Sequence, residues 1–190
     1  MFATGVTDSL SPIDGVAARW GKSIFHCPYC HGFELEQGAI GVIATGPMSL
    51  HQALMLPDWG RVTLLTNDAI ELDGAQREEL AGRGVAIEEK RIARISGHAE
   101  VQFESGDAAA FAGLFLASRT LPASSLPERL GCTIEETPMG LQIRTDAAKE
   151  TSVPGVFGCG DVARAPHSVS LAVADGAWAG AQTHRSLLFG

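Results

Sequence analysis

Apolar positions along this chain fall in short runs separated by polar turns, and the repeat switches between strand-like and helix-like spacing. Ala39–Ala44 (AIGVIA) reads as a buried strand, followed by a helix from about Met48 to Pro57. Arg61–Thr66 (RVTLLT) reads as a second strand. Asp73–Gly82 has helical spacing and ends at glycines, and Val85–Glu88 is a third short strand. Strand–helix–strand–helix–strand of this size predicts a βαβαβ unit with a parallel sheet. Beyond it, Ile92–Ile95, Glu100–Phe103 and Gly113–Leu116 read as an antiparallel meander. Thr120–Pro138 reads as a connection with room for a short helix. Gly155–Gly158 is expected to be a strand and Val169–Leu188 an alanine-rich closing helix. The opening ATGVTD reads as the end of an element whose apolar strand is reduced to Met1 and Phe2.

The pattern therefore predicts an α/β protein with a Rossmann-like centre. Composition changes this little: 45% hydrophobic and 19% charged residues suit a globular chain. A net charge of −8 argues against a nucleic-acid or anionic-membrane surface, which needs a concentrated positive field. The most apolar stretch, Ser168–Ala181, is interrupted by Asp175 and is too short to span a bilayer. No basic and apolar leader opens the chain, so a cytoplasmic location is expected, with cysteines that are reactive or metal-binding rather than structural.

The chemistry concentrates in FHCPYCHGFE, Phe25–Glu34, where Cys27 and Cys30 form a C-x-x-C with a histidine on each side. Structural zinc needs four ligands, and Cys132 and Cys159 stand apart, so no metal is expected. Haem attachment needs export or dedicated machinery. A glutaredoxin motif would open a helix of a thioredoxin fold, whereas here a glycine leads into a nucleotide-fold unit. A redox dithiol remains. A free thiol with pKa about 8.5 is mostly protonated at neutral pH, and a C-x-x-C setting is expected to lower that value. His31 reads equally well as a proton carrier or as an ordinary surface residue; His26 reads as a surface residue.

Four segments in order carry a family resemblance: ATGV at Ala3–Val6, CPYCHG at Cys27–Gly32, the βαβ unit from Gly38, and TSVPGVFGCGDVA at Thr151–Ala163. Together they resemble the thioredoxin reductase-like flavoprotein disulfide oxidoreductases over nearly the whole chain. The resemblance implies an FAD/NAD(P)-type three-layer fold with FAD against Gly160 and Asp161, and with Thr4, Gly5, Ser168 and Val169 beside it. It implies electron exchange between FAD and the Cys27–Cys30 pair, with Cys30 nearer the flavin and Cys27 meeting the substrate thiol. A thioredoxin-like protein or a small dithiol would be the partner, and the family tends to form homodimers. The helix after Gly160–Asp161 would aim its N–H groups at the flavin. Residues 1–20 and 121–190 would belong to the FAD domain and 21–120 to a nicotinamide-type domain.

Three departures qualify the resemblance. No G-x-G-x-x-G for the FAD pyrophosphate precedes ATGV, so the chain looks like the C-terminal two-thirds of such a protein, with an incomplete FAD domain and weak or absent FAD binding in isolation. The nicotinamide fingerprint has become Ala44, Gly46 and Ser49, with Pro47 lacking an N–H. Asp68 stands where NADPH users carry cations, so NADPH is disfavoured and NADH is not indicated in its place. Ser168 and Val169 replace an Arg-Gln pair. These departures resemble the dithiol oxidases that pass electrons through FAD to oxygen, in which the residue after the second cysteine, here His31, serves as acid–base. A chain without activity, acting as a remnant or partner-binding module, is the rival from another class. Trp20, Trp59 and Trp178 are expected in packing, Cys132 buried near a strand start, Cys159 buried, and His51 in solvent.

Overall fold

The computed structural model describes residues 1–189. In chain order the elements are β1 (Val6–Ser9), α1 (Val16–Arg19), β2 (Ile24–Phe25), α2 (Pro28–His31), β3 (Ala39–Ile43), α3 (Met48–Met55), β4 (Arg61–Leu65), α4 (Gly74–Gly82) and β5 (Ala86–Glu88). Then come β6 (Ile92–Ser96), β7 (Glu100–Phe103), β8 (Ala108–Ala110), β9 (Gly113–Leu116), β10 (Arg119–Pro122), α5 (Leu126–Arg129), β11 (Ile134–Thr137), β12 (Gly140–Ile143) and α6 (Val169–Phe189). The chain divides into two compact units: Leu10–Ser118, and Met1–Ser9 together with the chain from Arg119 onward.

In the unit Leu10–Ser118, five parallel strands run in the order β2-β9-β3-β4-β5. Successive side chains on a strand point to opposite faces, and the core divides accordingly. Phe25, Ile40, Val42, Val62, Leu64 and Phe115 pack on one face with residues of α3 and α4 such as Ala53 and Leu80. Ile24, Ile43, Leu65, Leu114 and Leu116 pack on the other with Ile95, Val101 and Phe103 of the antiparallel sheet β6-β7-β8. Helices, parallel sheet and antiparallel sheet make three layers. α4 starts from a reciprocal cap, Asp73 accepting from the Gln76 N–H while Gln76 accepts from the Asp73 N–H.

Gly113–Leu116 corrects the sequence reading. It is no meander strand but lies between β2 and β3, paired parallel to both. All four of its residues are buried, the mark of a strand covered on both faces. The third meander strand is Ala108–Ala110, whose run of alanines carries no alternating signal.

In the other unit, four strands run β1-β10-β12-β11. The segment read as connection, Thr120–Pro138, holds most of β10, all of α5 and all of β11, and Cys132 precedes the β11 start rather than opening it. Gly155–Gly158 is not a continuous strand: Phe157 and Gly158 make single bridges, to Glu150 and Phe2. Phe2 donates its N–H to Phe157 O (2.7 Å) and accepts from Cys159 N–H (2.9 Å), so the short apolar start is anchored beside the glycine–aspartate segment.

Candidate functional site

The dithiol sits where β2 leaves the sheet. Cys27 is extended (φ −103°, ψ 115°) and stands just ahead of the single helical turn α2, whose first residue is Pro28. Proline suits that position because its fixed φ is helical and its missing N–H would have had no partner. The turn closes through Cys30 N–H to Cys27 O (3.2 Å) and Gly32 N–H to Pro28 O (2.7 Å). Both cysteines are free thiols, Cys27 half-buried and Cys30 exposed.

Cys30 does not follow the expectation of a lowered pKa. Its thiol is pushed up from 9.0 to about 11, first by its hydrogen bond with Cys27, then by burial, then by the charges of Cys27 and Glu34. Ionising Cys30 would set a negative charge beside the Cys27 sulfur and the Glu34 carboxylate, which opposes it.

Residues that sequence reasoning passed over position this turn. His31 stacks on Phe25 with ring centroids 4.2 Å apart and planes at 19°, and Phe25 leans on buried Phe115 at 5.9 Å. The imidazole is therefore held against the sheet. Trp59 packs on Gly32 so closely that a Cβ there would lie 2.4 Å from the indole, which explains the glycine after His31. Tyr29 meets the same indole edge-on at 5.3 Å. Buried Gln52 of α3 donates to His26 O (2.7 Å), fixing the backbone just before Cys27. Only the glycine was a visible signal. Trp20 and Trp59 do pack against core clusters, but Trp178 is half exposed, with its N–H donated to Ala147 O (2.8 Å).

Gly46 lies in the β3–α3 loop of the same unit. Ser49, fully buried in the place of the third fingerprint glycine, accepts the Thr45 N–H (2.9 Å), and the Thr45 hydroxyl donates to Ala117 O (3.0 Å). Pro47 has no N–H to offer. A loop of this kind binds pyrophosphate through its free N–H groups; here Thr45's is already taken. After β4, Asp68 pairs with Arg91 at 3.4 Å.

The remaining candidates belong to the other unit. Gly160 adopts φ +70°, which a glycine allows at no steric cost, and opens one 3-10 turn, Gly160–Ala163. The long helix α6 starts only at Val169, so no extended helix N-terminus follows Asp161 directly. Ser168 precedes α6, its hydroxyl accepting the Leu171 N–H (3.2 Å), and Val169 is exposed. Thr4 is exposed, and Gly5 accepts from Ala123 N–H (3.1 Å) at φ +68°. Asp161 Oδ1 is buried and has no hydrogen-bond partner. Such an acceptor is costly unless something donates to it. The hydroxyls of a ribityl chain are donors of the right kind, so Asp161 fits a flavin. Cys132 and Cys159 are buried, Cys159 with its thiol raised by burial and then by the Asp175 charge. His51 is exposed.

Among the described residues no helix is long and apolar enough to cross a membrane. Residues 1–176 match the sequence profile of the pyridine nucleotide-disulphide oxidoreductases. Thioredoxin reductase sirT of Leptosphaeria maculans is 32% identical over 95% of this chain and 60% of its own length. The crystal structure of an oxidoreductase from Agrobacterium tumefaciens is 55% identical, with a TM-score of 0.94 over 97% of this chain and 63% of its own. That of HlmI is 33% identical, with a TM-score of 0.86 over 97% and 58%. The chain thus spans about three fifths of the length of the relatives it matches.

Proposed function

The chain belongs to the pyridine nucleotide-disulphide oxidoreductase family, and within it we infer that this protein is a flavin-linked dithiol–disulfide oxidoreductase of the thioredoxin reductase kind. The observation that supports this reading is the placement of two free thiols, Cys27 and Cys30, at the two ends of one proline-started turn. Two thiols on one turn can close to a disulfide, releasing two electrons and two protons. FAD, when bound, would supply the two-electron exchange with that pair, held by Gly160 and Asp161 with Thr4, Gly5, Ser168 and Val169 beside it.

On the substrate side, Cys27 as thiolate attacks a disulfide sulfur, giving a mixed disulfide and a released thiolate. Cys30 then attacks Cys27, closing the pair and freeing the second substrate thiol. The substrate gains two electrons and the pair loses two. The high pKa of Cys30 makes proton removal the demanding part of the second attack, and His31, fixed on Phe25 next in sequence, is suited to take that proton. A thioredoxin-like protein or a small dithiol fits this chemistry.

A second reading, dithiol oxidation with oxygen as the final acceptor in place of a nicotinamide, is favoured by one observation: Ser49, in the first turn of α3, takes the Thr45 N–H of the loop that would cradle the dinucleotide.

Absorption spectroscopy of the purified protein with added FAD, followed by anaerobic dithiol, tests the reading. Flavin bands that bleach with dithiol are expected, and Cys27→Ser or Cys30→Ser is expected to abolish the bleaching. Undiminished bleaching in either variant would place the redox centre elsewhere.

A further inference from the structure

The unit from Arg119 onward carries a buried carboxylate that the dithiol chemistry does not use. Asp175 lies inside α6 and is only 6% exposed. An aspartate there disfavours the helix and loses its hydration, so its partners must compensate. Its Oδ2 accepts the Gly160 N–H (2.9 Å); its Oδ1 faces Lys149 Nζ at 2.6 Å and Arg164 Nη1 at 3.7 Å. Lys149 is tied to the same segment through its backbone, its carbonyl accepting the Gly158 N–H (2.9 Å), and it adopts φ +68° to do so. The partners thus converge on the residues that present Asp161, the buried acceptor without a donor.

We propose that Asp175 is a positioning residue for the ligand-binding turn: it grips the Gly160 amide, so that Asp161 Oδ1 meets a hydroxyl donor of the flavin's ribityl chain with its geometry already set. Lys149 and Arg164, both within ion-pair distance of its Oδ1, keep the Asp175 carboxylate aimed. The inference rests on the flavin reading above and assigns the turn a support from a different element.

Removing Asp175 alone would strand the Lys149 charge and threaten folding. The test therefore compares two variants on a Lys149→Gln background. Asp175→Asn keeps an acceptor for Gly160 and can donate to the introduced side-chain carbonyl; Asp175→Ala keeps neither. Amide hydrogen exchange at Gly160 and FAD affinity by quenching of flavin fluorescence are measured on the full chain. The alanine variant is expected to exchange Gly160 about tenfold faster and to bind FAD about tenfold more weakly, the worth of one hydrogen bond. The asparagine variant is expected to stay within about threefold of its parent in both. Equal behaviour of the two variants overturns the proposal, as does unchanged FAD affinity with a loosened Gly160 amide. If exchange separates the variants but the parent takes no FAD, the grip on the turn stands and the flavin reading falls.

Discussion

Two glycine-bearing turns of this chain, Ala44–Ser49 after β3 and Gly160–Ala163 ahead of α6, solve opposite problems. In the first, Ser49 takes the Thr45 N–H, Ala117 takes the Thr45 hydroxyl, and Pro47 has nothing to donate, so few donors are left for a ligand. In the second, the backbone is gripped by Asp175 while Asp161 Oδ1 stays buried without a donor. A turn that has already used part of its donors has less to gain from a ligand, whereas a buried orphan acceptor is stabilised only when one arrives. The sequence reading expects a degraded fingerprint in the first turn and an intact glycine–aspartate pair in the second, and the hydrogen bonds divide in the same way.

The sharpest way to break this contrast is at the orphan acceptor. Asp161→Ala removes a charge-assisted partner of the ligand, and FAD affinity should fall about tenfold to hundredfold. The ligand-free protein should melt no lower than its parent, since no internal hydrogen bond is lost. A melting temperature that drops with unchanged FAD affinity would make Asp161 structural. The other turn is challenged with NADPH or NADH added anaerobically to flavin-loaded protein. Bleaching is expected to be absent at concentrations up to about 1 mM, the range of the weakest specific binding. Rapid bleaching would show that Ser49 and Asp68 leave the dinucleotide room.

How much of this was legible in the sequence depended on whether a residue's role is local. The parallel strands and helices from Ala39 to Glu88 were readable because buried runs and helical spacing repeat within each element. β9 was not, since four buried residues look alike whether the strand lies in a meander or between parallel neighbours, and only its partners decide. β10 to β12 were missed because their strands are short and half-exposed, with acidic or turn-forming residues among them. In the candidate sites, Cys27, Cys30, His31, Gly160 and Asp161 stood out as motifs. Phe25, Gln52, Trp59 and Asp175 did not, because each supports a motif from a distant part of the chain or from across a stack. The departure at Ser49 was visible, but its effect, an occupied amide, needed coordinates.

The dithiol resembles the first turn more than the second, since its thiols answer each other. Hydrogen bonding by Cys27 is the largest cause of the Cys30 pKa of about 11. Cys27→Ala should therefore bring Cys30 part of the way back towards 9.0, and alkylation of Cys30 by iodoacetamide at pH 9 should accelerate several-fold. The sign for stability follows. A thiol whose folded pKa is raised stabilises the fold while it stays protonated. That contribution is whole below the ordinary thiol value and is lost as pH climbs through about 11. An unchanged alkylation profile in the variant would leave burial and Glu34 as the cause.

The smallest expected effect tests the first turn most directly. Ser49→Ala deletes one buried acceptor and leaves the Thr45 N–H without its partner. The loss should be about 1 kcal/mol of stability by denaturant titration, with little change in the slope of the transition. The freed N–H should not by itself confer nucleotide binding. Pro47 still has no N–H to offer, and after β4 the Arg91 cation that could meet a 2′-phosphate is already paired with Asp68. If Ser49→Ala were instead neutral in stability and bound NADH, the Ser49–Thr45 hydrogen bond would be only a placeholder for phosphate. The turn would then be a ligand site, like the one proposed at Asp161, and the two turns would differ in ligand and not in kind.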